Sequence, residues 1–311
     1  MSMPSTNLIT DIVWHLNDHC KSECSYCPIS LRGAAEIPET PDYLRIARLL
    51  IDSYKQMGRS IKWTFNGGEP LDMNDIVTLL KLCRENSQSM TLHTNGGRLW
   101  VDWWAIEPYV DNLKLTYHYW QNPALIKYII DTFRNKNKSF TVLVPIRPNF
   151  FDQDIERALD IERQHGIVVG KTVLYKDARG DSTMFPYTKE QLAIMSGAKI
   201  VKETPDKIKK EAIKNASLVK EKEYVDSTTW DERYKKTYNS NPSYAGQLCN
   251  VGIERLNISH QGWVSGSDCN NQPLGNIWHE NWQPPKAPQQ CTMIACISKS
   301  DQQITKFPLP V

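Results

Sequence analysis

Through its first 175 residues the chain alternates between two hydrophobic rhythms. Stretches with apolar residues at every second position read as strands: "LITDIVWHL" (8–16), "IKWTF" (61–65), "MTLHT" (90–94), "NLKLTY" (112–117), "FTVLVPI" (140–146) and "KTVLY" (171–175). Between them, apolar residues three and four apart predict helices over 41–57, 73–86, about 100–106, 122–134 and 152–165. Strands that alternate with helices in this way form a parallel sheet joined by crossover helices. Six strands are too few to close an eight-stranded barrel. The expected fold is therefore α/β, an open, partial (β/α)6 barrel of TIM type, with function on the loops after the strand carboxyl ends.

The rhythm then breaks. Over 197–236, eleven basic and eight acidic residues interleave with few aromatics, which predicts a solvated helical connector. The mixed signs argue against a nucleic-acid arm. Beyond it, "RLNIS" and "HQGWVSGSDC" predict a β-hairpin with Gly262 at its turn, in a tail rich in Gly, Asn, Pro and Cys. The expected units are 1–195 (barrel), 196–245 (connector) and 246–311 (a small hairpin and helix domain).

A chain of 311 residues, 40% of them apolar, can bury a full core without disulfides. Its 37 basic and 35 acidic residues leave a net charge of +2, so no overall field favours nucleic acid or an anionic membrane. No run of about 18 apolar residues is present, and Met1 to Leu8 lacks a signal-peptide pattern. The expected location is cytoplasmic, with no membrane partner. In a reducing cytosol eight cysteines point to metal ligands or catalytic thiols, which gives their positions weight.

Three of them, Cys20, Cys24 and Cys27, crowd into "DHCKSECSYC" directly after the first strand. Thiolates at this spacing on a barrel-mouth loop suit an iron–sulfur cluster that keeps one iron open. Zinc, closed by His15 or His19, is the alternative occupant. After the second strand comes "FNGGEP" (65–70), where two glycines permit close backbone approach and Glu69 follows at once. Cys83 lies within a predicted helix and reads as a small core residue.

With CxxxCxxC (Tyr26 preceding the last cysteine), GGE one strand later and six strands in this order, residues 8–175 resemble the radical S-adenosylmethionine (SAM) superfamily. The resemblance implies that Cys20, Cys24 and Cys27 bind a [4Fe–4S] cluster whose open iron is chelated by SAM. One electron then cleaves SAM to a 5′-deoxyadenosyl radical that abstracts a substrate hydrogen atom. It further implies that Tyr26 belongs to the SAM site and that Gly67, Gly68 and Glu69 hold the methionine amino group. Thr116 would meet the ribose or carboxylate, Arg147 would pair its fork with the carboxylate, and Leu174 and Tyr175 would flank adenine. Asn95, His118, Lys176, Asp177 and Arg179 stand beyond strand ends, on the substrate side.

The tail resembles the SPASM/twitch extension of that superfamily, in which further cysteines hold an auxiliary cluster. Cys249, Cys269, Cys291 and Cys296 are its expected ligands, making two [4Fe–4S] clusters in all, and a four-cysteine zinc ribbon is the alternative. Six residues separate Gly262 from Cys269 and four separate Cys291 from Cys296, spacings longer than the usual pattern. The resemblance implies a flavodoxin or ferredoxin as electron donor. With the first strand opening near residue 8, no N-terminal peptide-binding module is expected. This favours a small-molecule or nucleoside substrate over a peptide.

Overall fold

The computed structural model describes residues 8–22, 24–27, 42–97, 103–175, 184–196, 244–266, 268, 273–293, 296 and 298–308. Six strands follow the predicted order: β1 (Leu8–His15), β2 (Arg59–Asn66), β3 (Ser89–Thr94), β4 (Asn112–Thr116), β5 (Ser139–Pro145) and β6 (Val169–Thr172). They are parallel neighbours in sequence order, so their carboxyl ends share one edge. The connecting helices are α1 (Tyr43–Gln56), α2 (Ile76–Glu85), α3 (Trp103–Ile106), α4 (Pro123–Asn135) and α5 (Phe151–His165), with α6 (Lys189–Met195) following β6.

Each helix forms where pattern and cap agree. In α1, Tyr43, Ile46, Ala47, Leu50, Ile51 and Tyr54 make one buried stripe, and the Asp42 carboxylate accepts from the Arg45 amide at 2.9 Å. α4 opens on Asn122 with Pro123 at its first position, where the missing N–H costs nothing. Cys83 is fully buried on α2 and burial pushes its thiol up, in keeping with a core residue.

The carboxyl-terminal segment does more than form a separate hairpin. Its strands β8 (Arg255–Ile258) and β9 (Trp263–Ser265) pair antiparallel across the Gly262 turn, where φ is +82° and an added Cβ would strike the Trp278 ring. β8 also pairs parallel with β1, and β10 (Pro273–Asn276) pairs with β9. The result is an open nine-stranded sheet in the order β10-β9-β8-β1-β2-β3-β4-β5-β6. Fully buried Leu256 and Ile258 join the main core, and Thr10 Oγ1 and Tyr54 Oη donate to the carbonyls of Ile253 (2.7 Å) and Gly252 (2.6 Å). β7 (Leu248–Cys249) is flanked antiparallel by β11 (Gln289–Gln290) and β12 (Lys306–Phe307), with α7 (Lys299–Gln303) just before β12.

The sixth strand corrects the sequence reading. It ends at Thr172, so Leu174 and Tyr175 lie beyond it. The Leu174 amide donates to the Tyr187 hydroxyl (2.9 Å), its carbonyl accepts from the Phe185 amide (2.9 Å), and Tyr175 bridges to Met184. The Tyr187 hydroxyl also donates to the Ile146 carbonyl, so Tyr187 bridges Leu174 to the chain just after β5. The predicted connector, apart from the residues at its two ends, falls outside the described residues, as do Lys176, Asp177, Arg179 and Cys269.

Candidate functional site

A cavity of about 350 Å³ opens at the carboxyl ends of β1 to β4. Its lining brings together Cys20, Cys24, Cys27 and Tyr26 from the loop after β1, Gly67, Gly68 and Glu69 from the turn after β2, Asn95 after β3, and Thr116 and His118 from the end of β4. With His15, the alternative zinc ligand, which also lines the cavity, eleven of the residues singled out in the sequence thus meet in one place.

The two glycines are required by the chain itself. Gly67 has φ +145°, and a Cβ there would fall 2.5 Å from the Asn17 carbonyl oxygen; a Cβ on Gly68 would fall 2.0 Å from that of His19. The Gly68 and Glu69 amides donate to those two carbonyls at 2.8 and 2.7 Å. The GGE turn is therefore strapped to the backbone leading into Cys20, which places cysteine loop and turn in fixed register.

Glu69 is 2% exposed. Its carboxylate accepts from the Leu71 amide (2.9 Å), the Thr94 hydroxyl (2.5 Å) and the Asn95 amide (2.7 Å). Burial pushes it up to about 7 against the pull of those three donors, with Asp72 adding a smaller upward push. A carboxylate offers about four acceptor positions, so one remains for a ligand.

The thiols sit among donors. The Ser22 amide and the Asn95 side-chain amide point at Cys20 Sγ (3.4 and 3.5 Å), and Trp120 Nε1 donates to Cys24 Sγ (3.3 Å). The Cys27 amide closes the loop on the Cys24 carbonyl at 2.9 Å. Burial raises the Cys20 thiol to about 11.

Next to Cys24 the rings of Tyr26, His118 and Trp120 stack in sequence, with centroids 5.9 and 5.6 Å apart and interplanar angles of 20° and 4°. Burial holds His118 down at about 4, so its imidazole is neutral. Burial, reinforced by Cys24, pushes the Tyr26 phenol up. A Tyr26 hydroxyl donating to His118 Nδ1 satisfies both. His93 also faces the cavity and is held at about 4, chiefly by burial and then by Lys114 and His15.

No protein-family model and no curated protein matches the chain. Among solved structures, SuiB from Streptococcus suis superposes with a TM-score of 0.52 and 15% identity, both bound to S-adenosylmethionine and in a second structure, over 88% of this chain. The chain spans 64% of the SuiB length. Weaker matches are anSMEcpe with bound AdoMet (0.49, 12% identity, 87% of this chain and 75% of that one) and BtrN in complex with AdoMet and 2-DOIA (0.42, 14%, 88% and 83%). The chain has the fold of the radical SAM enzymes.

The chemistry of the cysteine loop fits an iron–sulfur cluster. Three thiols converge on one cavity, and two of them receive N–H donors of the kind that stabilise thiolate ligands. Among the described residues, no three His, Cys, Asp or Glu side chains gather closely enough to hold a single metal ion.

Other expected positions are placed differently. Arg147 does not line the cavity: its Nε and Nη2 grip the two Asp154 oxygens at 2.8 Å each, and its guanidinium lies over the Tyr119 and Phe150 rings at 3.9 and 4.4 Å. The fork expected to meet a SAM carboxylate is thus engaged within the chain. Leu174 and Tyr175 likewise lie off the cavity lining. Asn95, expected on the substrate side, does line the cavity and there links Glu69, Cys20 and Ser22, the last at 3.3 Å. Sequence reasoning passed over Trp120, Thr94 and Ser22. Only Trp120 carried a signal, an aromatic in the loop directly after β4.

In the tail, buried Cys249 and Cys291 pack with Val251 and Ile304, and Cys296 is also buried. All three are thiols, not disulfides. The Asp268 amide donates to buried Asp301 (2.9 Å), which anchors the residue before Cys269 to α7.

Proposed function

We propose that this protein is a radical SAM enzyme in which Cys20, Cys24 and Cys27 hold a [4Fe–4S] cluster, with SAM bound beside them in the cavity. The observation that carries this is the convergence of those thiols with Gly67, Gly68 and Glu69 on the carboxyl ends of four adjacent parallel strands. When bound, the cluster and SAM supply the one-electron chemistry that generates a carbon radical able to remove a hydrogen atom from the substrate.

The chain's own residues bind and position. The spare acceptor position on Glu69 receives an ammonium group in the buried site, where a charge-assisted hydrogen bond is strong. Thr116 offers a hydroxyl at the end of β4. Neutral His118, stacked between Tyr26 and Trp120, screens the Cys24 side from water. The substrate class this reading favours is a small molecule or nucleoside, with a peptide as the alternative. Cys249, Cys269, Cys291 and Cys296 hold an auxiliary [4Fe–4S] cluster that passes electrons or anchors the substrate.

Anaerobic purification tests the reading. About eight iron and eight sulfide per chain are expected from two four-iron clusters. A colourless, zinc-loaded protein would overturn it.

A further inference from the structure

We infer that Trp120 sets the reduction potential of the cluster at Cys20, Cys24 and Cys27, by donating its indole N–H to Cys24 Sγ. The inference rests on the reading of those cysteines as cluster ligands. Trp120 Nε1 lies 3.3 Å from Cys24 Sγ. The indole is held in that orientation from two directions. It stacks almost parallel on His118, at 4° and 5.6 Å, and His118 is itself backed by Tyr26. The backbone on either side is closed by Gln121: its Oε1 accepts from the His118 amide (2.6 Å), its own amide donates to the His118 carbonyl (3.1 Å), and its Nε2 donates to the Asn95 carbonyl. Asn122 then caps α4, which fixes the backbone on the far side of Trp120 as well.

A hydrogen bond to a ligating sulfur withdraws electron density from it and stabilises the more negative, reduced cluster, raising the potential. Under the proposed function the site would receive one electron from a reduced flavin or iron–sulfur protein, and a higher potential would make that transfer easier. Trp120 leaves 41% of its surface exposed, so one ring reaches from Cys24 to the outside of the protein.

Trp120→Phe keeps a ring over His118 and removes the N–H. The test is a midpoint-potential titration of the cluster followed by electron paramagnetic resonance, with wild type and W120F reconstituted to equal iron and sulfide. The auxiliary cysteines are identical in both proteins, so a difference reports on the Cys24 cluster. The midpoint should move to lower potential in W120F, and equally in W120Y, which also lacks the donor at that place. An unchanged or higher midpoint at full cluster loading overturns the inference. So does failure of both variants to take up a cluster that wild type accepts, because Trp120 would then serve assembly. Wild-type protein that takes up no four-iron cluster refutes the underlying reading instead.

Discussion

Glu69 concentrates the electrostatics of the site. Its pKa in the fold lies near 7, above the ordinary carboxylate range, because burial outweighs three donors. Folding therefore favours the neutral form: this contribution to stability is full below the ordinary range and lost as pH rises towards 7. Binding of an ammonium group has the opposite sign, since it needs the ionised form. SAM affinity, followed by isothermal titration, should rise between pH 6 and pH 8, and Glu69→Gln should bind more weakly with that dependence gone. A backbone argument operates beside it. Gly68→Ala drives a methyl to 2.0 Å from the His19 carbonyl oxygen, so the cysteine loop must shift. Iron content after reconstitution should fall well below that of wild type while the helical circular dichroism is retained. The cysteines and GGE were legible in the sequence because their spacing is local. The partners of Trp120 and Arg147 were not, because the contacts Trp120–Cys24 and Arg147–Tyr119 join residues from different strand-end loops.

At the scale of elements, the loop from β5 into α5 is governed by one buried charge. Asp154 accepts from the Arg147 amide (2.9 Å) and guanidinium and from Arg157 Nη1 (2.5 Å), with its side chain 1% exposed. Removing one partner of such a network leaves an uncompensated charge, which costs about 3–5 kcal/mol. Asp154→Ala should lower the stability measured by urea unfolding by about that much. Arg147→Met, which removes the fork but keeps much of the bulk, tests the same network from its other side. Strands β1 to β5 were legible because alternation and turn residues act locally; beyond the end of β6 at Thr172, Leu174 bonds the Tyr187 hydroxyl, a partner 13 residues away that no local pattern shows.

In the whole molecule, the carboxyl-terminal hairpin completes the sheet. β8 lies between β1 and β9, and the hydrogen bond from Thr10 to Ile253 spans 243 residues. Parallel pairing at that separation leaves no local pattern, which is why the sequence read as a separate small domain. The pairing predicts joint unfolding. Leu256→Ala, at a fully buried position, should lower stability by about 2–5 kcal/mol within a single urea transition. A first transition confined to the tail would show that it folds independently.

The same sheet brings the cysteine loop, the GGE turn and the ends of β3 and β4 to one cavity, and the proposed chemistry depends on that meeting. The most direct test is release of 5′-deoxyadenosine from SAM by the reconstituted, dithionite-reduced protein. Wild type should release it and a folded Cys24→Ala variant should not. A wild-type protein with its clusters fully loaded that leaves SAM intact, or a Cys24→Ala variant that cleaves it as well as wild type does, would contradict the account.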